Sequence, residues 1–328
     1  MTEKNVIQTV HDTLWEAMVA DERVVVLGED VGARGGVFRA TAGFLEAFGE
    51  RRVIDTPLAE SAIVGVAIGM ALHGLLPVAE IQFADFIHPA FDQLVSEAAR
   101  IRYRSNGDWG VPLVVRAPYG GGVHGALYHS QSVEAFFGHV PGLKVVAPST
   151  PYDVKGLLLA AINDPDPVLF LEHKKTYRLV KGEVPDEPYE LPIGRADVKR
   201  EGTDLTVVSY GLMLHYCLEA AARLQEDEGF SAEVVDLRTI APLDRETVLA
   251  SVRKTGKAMV VYEDNLTYGV GAEVAALIAE EAMFDLDAPV VRVAGPDIPA
   301  MPFATPLEHF YLPDAERIYE RMRELAKF

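Results

Sequence analysis

The 328 residues are 49% hydrophobic and 24% charged, a globular composition long enough for two domains that each bury a core. A net charge of −19 speaks against nucleic acid and anionic membranes as partners, and for a soluble chain or a basic protein partner. The longest apolar run, 63–72, is too short to span a bilayer, no secretory signal is expected, and the lone Cys217 excludes an internal disulfide and fits the cytoplasm.

Val6, Val10, Leu14, Ala17 and Met18 mark one face of an opening helix. Strand-type apolar runs follow at 24–27, 52–54, 78–81, 113–115, 144–146 and 168–171, with helical segments between them. This alternation predicts an α/β domain with a parallel sheet and helices on both faces. The run 61–72 predicts a helix buried on most sides, with Thr56-Pro57 ending the strand before it. Thr150-Pro151-Tyr152-Asp153 reads as a helix start: threonine cap, proline at the first position, acid in the first turn. The pattern breaks over 181–203, where prolines and charges predict a surface linker. A second alternating series follows, with strands at 205–209, 232–237, 258–262 and 290–293, and a helix over 213–228 that stops at Gly229. The expected organisation is a first domain over 1–180, a linker over 181–203 and a second α/β domain over 204–328.

Ligands of open parallel sheets bind beyond the carboxyl ends of the strands. In the first domain those ends lead to Glu29-Asp30, to Glu60, to Gln82-Phe83-Ala84-Asp85-Phe86, and to the glycine-rich segment 119–132 with His124 and His129. Glu60, at the mouth of an apolar helix, is placed where burial would hold a proton near neutral pH; the alternative is an acid favoured by the helix dipole. The glycine loop allows close backbone approach to a ligand and delivers His129 near the next helix. For His124, a locally satisfied side chain is an equal alternative. The spacing of the two histidines matches no common zinc pattern.

The segments 55–60, Ala79-Glu80-Ile81-Gln82-Phe83-Ala84-Asp85, Arg102-Tyr103-Arg104-Ser105, Tyr128-His129-Ser130-Gln131-Ser132 and Val234-Val235-Asp236-Leu237-Arg238-Thr239 carry a resemblance. In order and spacing the chain resembles the beta subunit of the thiamine-diphosphate-dependent decarboxylase component of 2-oxo acid dehydrogenase complexes. The resemblance implies a pyrimidine-binding domain with a parallel sheet and a transketolase-type C-terminal domain. It also implies an alpha subunit in an alpha2-beta2 heterotetramer, and a dihydrolipoyl acyltransferase core as partner. Glu60 would hydrogen-bond the far ring nitrogen of the thiamine pyrimidine and drive it into the imino form, which makes its own amino group a base. Phe86 would stack on that ring, Leu58, Gln82 and Glu29 would line its pocket, and His129 would assist acyl transfer to the lipoyl group.

The Gly-Asp-Gly segment and later asparagine that hold diphosphate and magnesium in thiamine enzymes are missing, since Asn106-Gly107-Asp108-Trp109 lacks the second glycine and the helix. Magnesium would therefore be held mainly by the alpha subunit, and this chain would carry half an active site. The resemblance further implies a structural potassium ion at Leu113, Ala161, Asp164 and Asp166; a plain turn is the alternative for 163–167.

Two other classes compete. An NAD-dependent oxidoreductase would rest on Gly269-Val270-Gly271-Ala272-Glu273-Val274, which lacks the third glycine and a later strand-ending acid. A non-catalytic assembly subunit would leave Glu60, the glycine loop and His129 without purpose. For the substrate, 124–129 resembles the branched-chain 2-oxo acid version, whereas 295–299 and 301–304 look more like the pyruvate or acetoin versions. Branched-chain acids are the expectation and pyruvate the alternative.

Overall fold

A computed structural model describes residues 1–328. In chain order the elements are β1 (Thr2–Asn5), α1 (Val6–Ala20), β2 (Val24–Gly28), α2 (Phe44–Phe48), β3 (Val53–Asp55), α3 (Glu60–Leu72) and β4 (Leu76–Glu80). Then come α4 (Ile101–Arg104), β5 (Val114–Tyr119), α5 (Glu134–Gly138), β6 (Lys144–Val146), α6 (Pro151–Asn163), β7 (Val168–His173), α7 (Thr176–Leu179) and β8 (Lys181–Val184). The remainder is β9 (Asp197–Arg200), β10 (Leu205–Ser209), α8 (Gly211–Glu228), β11 (Ala232–Asp236), β12 (Thr239–Ala241), α9 (Arg245–Thr255), β13 (Ala258–Asn265), α10 (Val270–Glu281), β14 (Val291–Gly295), α11 (Thr305–Tyr311) and α12 (Ala315–Ala326).

The chain divides into two compact units, Met1–Tyr119 with Phe136–Ile193, and Gly120–Ala135 with Gly194–Phe328. The glycine-rich segment thus belongs with the second unit. Its sequence position, between two strands of the first sheet, gives no hint of that. Half of the expected linker belongs to the first unit: β8 pairs antiparallel with β1, Thr2 opposite Val184. The other half forms β9, antiparallel to β11. Both are polar edge strands, so they carry none of the apolar alternation by which strands are read.

In the first unit the strands run in the order β6-β7-β5-β4-β2-β3, all parallel. Val6, Val10, Leu14, Ala17 and Met18 of α1 are buried as their spacing predicts, packed with α6 over one sheet face. Thr150 Oγ1 caps α6 by accepting from Asp153 N–H, with Pro151 at the first position. Helix α3 departs from expectation. Ile63, Val64, Ala67, Ile68 and Ala71 are buried, but Ala62, Gly65, Val66, Gly69 and Leu72 are exposed. The helix is apolar all round, yet the chain supplies neighbours to one face only.

The second unit has the order β14-β13-β10-β11-β9, parallel except for β9. Helices α8 and α12 pack together and bury Leu214, Cys217, Ile318 and Met322 with strand residues Val207 and Val234. Gly229 ends α8 in the left-handed conformation, φ +79°, as expected. Burial pushes the Cys217 thiol up to about 12, so it is an inert packing residue. No helix is long and apolar enough to cross a membrane.

Candidate active site

Strands β4, β2 and β3 stand side by side, with Gly28 level with Asp55 on one flank and Glu80 on the other. The residues that follow them therefore emerge along one edge of the sheet. Asp55 is absorbed by structure: its carboxylate accepts the N–H groups of Gly32 at 2.6 Å and Ala33 at 3.1 Å. A Cβ on Gly32 would lie 2.7 Å from that carboxylate, so glycine is required for the loop to close.

Glu60 opens α3, whose cap residue Ala59 makes no side-chain hydrogen bond, so the positive end of the helix dipole faces this edge. It is half-buried rather than shielded, because the exposed face of α3 begins beside it at Ala62. The acid that burial pushes up here is Glu29, with the charges of Asp30 and Glu60 adding to the effect. Glu29 and Glu60 thus share one electrostatic neighbourhood. Gln82 Nε2 reaches Asp30 Oδ2 at 3.5 Å. Phe86 stands edge-on to Phe83 at 5.8 Å between ring centres, Phe83 meets Phe38 at 5.5 Å, and Phe38 meets Tyr177 at 5.0 Å. Leu58 is 72% exposed.

Below this edge lies a charged network that the sequence reading did not identify. Arg116, fully buried, donates to Glu80 at 2.6 Å and to both oxygens of Glu172 at 2.6 and 2.8 Å, and Tyr177 adds its hydroxyl at 2.6 Å. Burial raises the Glu80 carboxyl, and Arg116 opposes that rise. Removing one member would leave an uncompensated buried charge, at about 3–5 kcal/mol. The available signal was charged residues within apolar strand runs: Glu80 ends β4, Arg116 lies inside β5 and Glu172 sits next to the end of β7.

In the second unit, the loop 120–131 is closed at its base by Gly120 N–H donating to Gln131 O at 3.0 Å. A 3-10 turn, Ala126–Tyr128, leads into His129, which is half-buried. His124 sits 2.6 Å from the buried Glu308 carboxylate through Nδ1, so it has a structural partner. No group of three or more His, Cys, Asp and Glu side chains could hold a metal ion. Further along, Tyr210 donates to the fully buried Glu134 at 2.7 Å. Burial, then the charge of Asp264, pushes Glu134 up to about 8; burial likewise takes Asp264 to about 6.

The competing motifs have structural explanations. Asn106 and Gly107, at φ +57° and +88°, form the turn that ends α4, where Gly107 N–H donates to Arg102 O at 2.9 Å; no phosphate-type helix start follows. Gly269 and Gly271 lie against the Tyr262 ring where a Cβ would collide, so the pair serves helix-to-strand packing at α10. At the expected potassium position, the Asp164 carboxylate is neutralised by Lys144 at 2.5 and 2.6 Å, and Asp166 pairs with Arg102. The Leu113 and Ala161 carbonyls accept backbone N–H groups of Val168 and Asp164. A cation there would depend on carbonyl oxygens rather than on free carboxylates.

The groups at the first sheet edge fit a thiamine pyrimidine: an acid at a helix mouth, an amide, an aromatic face and an exposed leucine. They do not fit a diphosphate with its metal, because no glycine-rich helix start follows at this edge and its basic side chains are engaged elsewhere, Arg34 with Asp30 at 3.3 Å and Lys174 over the Phe83 ring. A two-unit α/β protein with this edge is of transketolase type. Accordingly, the transketolase pyrimidine-binding domain matches residues 3–180 and the transketolase C-terminal domain matches 194–318. A solved split-gene transketolase, an inactive beta4 tetramer, superposes with a TM-score of 0.80 at 25% identity over 98% of both chains. The 2-oxoisovalerate dehydrogenase subunit beta of Bacillus subtilis is 61% identical over the full length of both chains. Pyruvate dehydrogenase E1 component subunit beta is 54% identical in Acholeplasma laidlawii, over 98% of this chain and 97% of that one, and 51% identical in Bacillus subtilis over all of both. The chain belongs to the family of 2-oxo acid dehydrogenase beta subunits.

Proposed function

We propose that this chain supplies the pyrimidine half of a shared thiamine diphosphate site for oxidative decarboxylation of branched-chain 2-oxo acids. In the overall reaction the acid loses carbon dioxide, and its acyl group forms a thioester with one sulfur of a lipoyl disulfide while the other sulfur becomes a thiol. The cofactor, when bound, supplies the electron sink for carbon–carbon cleavage. Glu60 would hold the pyrimidine by its ring nitrogen and share a proton there, beside Glu29. Phe86 offers its ring face, while Gln82 and Leu58 line the pocket. His129 assists transfer to the lipoyl sulfur as a proton donor or acceptor. The observation that supports the reading is the edge itself: the ends of β2, β3 and β4, which lead to Glu29, Glu60, Gln82 and Phe86, stand side by side, and Leu58 is left open.

An alpha subunit completes the site with the diphosphate and magnesium ligands, in an alpha2-beta2 assembly that serves a dihydrolipoyl acyltransferase core in the cytoplasm. The exposed apolar face of α3 supports this arrangement: a Cβ on Gly69 would meet nothing within 4 Å, and on Gly65 only the Gln93 side chain at 3.8 Å. Such faces are covered in obligate interfaces. A potassium ion on the Leu113 and Ala161 carbonyls near Asp164 and Asp166 is a further part of the reading. Branched-chain acids are preferred over pyruvate on the likeness to the 2-oxoisovalerate relative. The test is a panel of 2-oxo acids on the chain reconstituted with its alpha partner. Preference for pyruvate would overturn the substrate, and thiamine-independent or NAD-only turnover would overturn the site.

A further inference from the structure

The loop bearing His129 is held by two carboxylates that come from distant parts of the second unit. Glu263, near the end of β13, accepts Gly121 N–H. Glu308, in α11, accepts Gly122 N–H at 2.9 Å and His124 N–H at 3.2 Å on one oxygen, and its other oxygen lies 2.6 Å from His124 Nδ1. Glu308 is fully buried, so its charge is met almost entirely by this loop. Charge-assisted bonds from backbone N–H groups to a carboxylate are roughly twice as strong as neutral ones, so two on one oxygen restrain the loop at both Gly122 and His124. His124 takes φ +57° to present its N–H, a conformation a non-glycine residue holds only when its surroundings enforce it.

The next residue passes that constraint to His129. A Cβ on Gly125 would lie 2.7 Å from both the Cβ and the carbonyl oxygen of His129, and 2.8 Å from Ser130 Oγ. The backbone at Gly125 is therefore pressed against His129, one residue beyond the point where Glu308 grips the chain. Gln131, on the far side of His129, closes the loop onto Gly120 and onto Leu127 O at 3.1 Å.

We propose that Glu308 is a positioning residue for acyl transfer, setting the location of His129 through Gly122, His124 and Gly125, with Glu263 as a second anchor. The inference rests on the role of His129 given above. The experiment uses the reconstituted alpha–beta assembly and two assays: acylation of a lipoyl domain, and decarboxylation read with an artificial electron acceptor. Glu308→Ala should lower lipoyl acylation by about 10–100-fold, as expected for a group displaced by about an ångström, and lower the second assay far less. Glu308→Gln retains an oxygen for the two N–H groups and should recover most of the acylation rate. Gly125→Ala moves the loop without touching the buried carboxylate, and should reproduce the selective loss even if Glu308→Ala does not fold. Combined with His129→Ala, neither Glu308→Ala nor Gly125→Ala should cause further loss.

Wild-type acylation in both Glu308→Ala and Gly125→Ala would overturn the proposal, as would a loss equal in both assays that Glu308→Gln does not rescue. Additive losses in the double variants would also overturn it, because Glu308 would then act elsewhere. If His129→Ala alone were harmless, the role of His129 would fall. A deficit surviving in Glu308→Ala would then show that the clamp holds some other group.

Discussion

Replacing Glu134 with glutamine should make the stability of this chain less dependent on pH. Glu134 is fully buried, with one oxygen bonded to Tyr210 and the other without a partner. Burial, reinforced by Asp264, raises the carboxyl from 4.5 to about 8. Between those values the folded chain keeps a proton that the unfolded chain has released, so stability falls as pH rises through this window. Below about 4.5 both states are protonated and there is no penalty; above about 8 the penalty is complete. At about 1.4 kcal/mol per tenfold difference in proton affinity, the folded state at pH 9 gives up on the order of 3–5 kcal/mol relative to pH 4.5. Glutamine has no proton to lose and keeps an acceptor for Tyr210. Urea unfolding followed by circular dichroism at pH 5, 7 and 9 should show the variant level with wild type or slightly below it at pH 5, and progressively above it as pH rises. Parallel profiles for the two proteins would refute the reasoning and mean that Glu134 is ionised, or solvated, in the folded state.

Glu60→Gln should fold and assemble but lose 2-oxo acid decarboxylation by at least about 100-fold, since an amide cannot share the proton; near-normal turnover would remove Glu60 from the site. His129→Ala should abolish overall complex activity while decarboxylation with an artificial acceptor survives better; equal loss would assign it to cofactor binding or folding. Gly69→Leu fills open space on α3, so the isolated chain should change in stability by no more than about 1 kcal/mol, whereas assembly with the alpha subunit should fail by size-exclusion chromatography with light scattering. Exchanging potassium for a bulky organic cation should lower the melting temperature through loss of a ligand that binds only the native state, and unchanged melting would remove that site.

The features legible in the sequence are those written in local chemistry. The buried stripe of α1, the Thr150-Pro151 start of α6, the Gly229 stop of α8 and every central strand follow from periodicity, capping and chirality within a few residues. The parallel alternation also made it predictable that the strand ends leading to Glu29, Glu60, Gln82 and Phe86 share one sheet edge. What tertiary structure alone decided has its cause far along the chain. Strand β8 exists because β1, some 180 positions earlier, offers it an edge, and no local apolar pattern announces such a polar pair. The α3 sequence records that both its faces are apolar, but not that this chain covers only one of them. The carboxylate that grips Gly122 comes from 186 positions away, and the charge holding Arg116 from 36 and 56 positions away. A glutamate in sequence looks the same whether water, a guanidinium or a row of backbone N–H groups meets it. Only the folded chain decides which, because burial and partner geometry, not residue type, set what a carboxylate does.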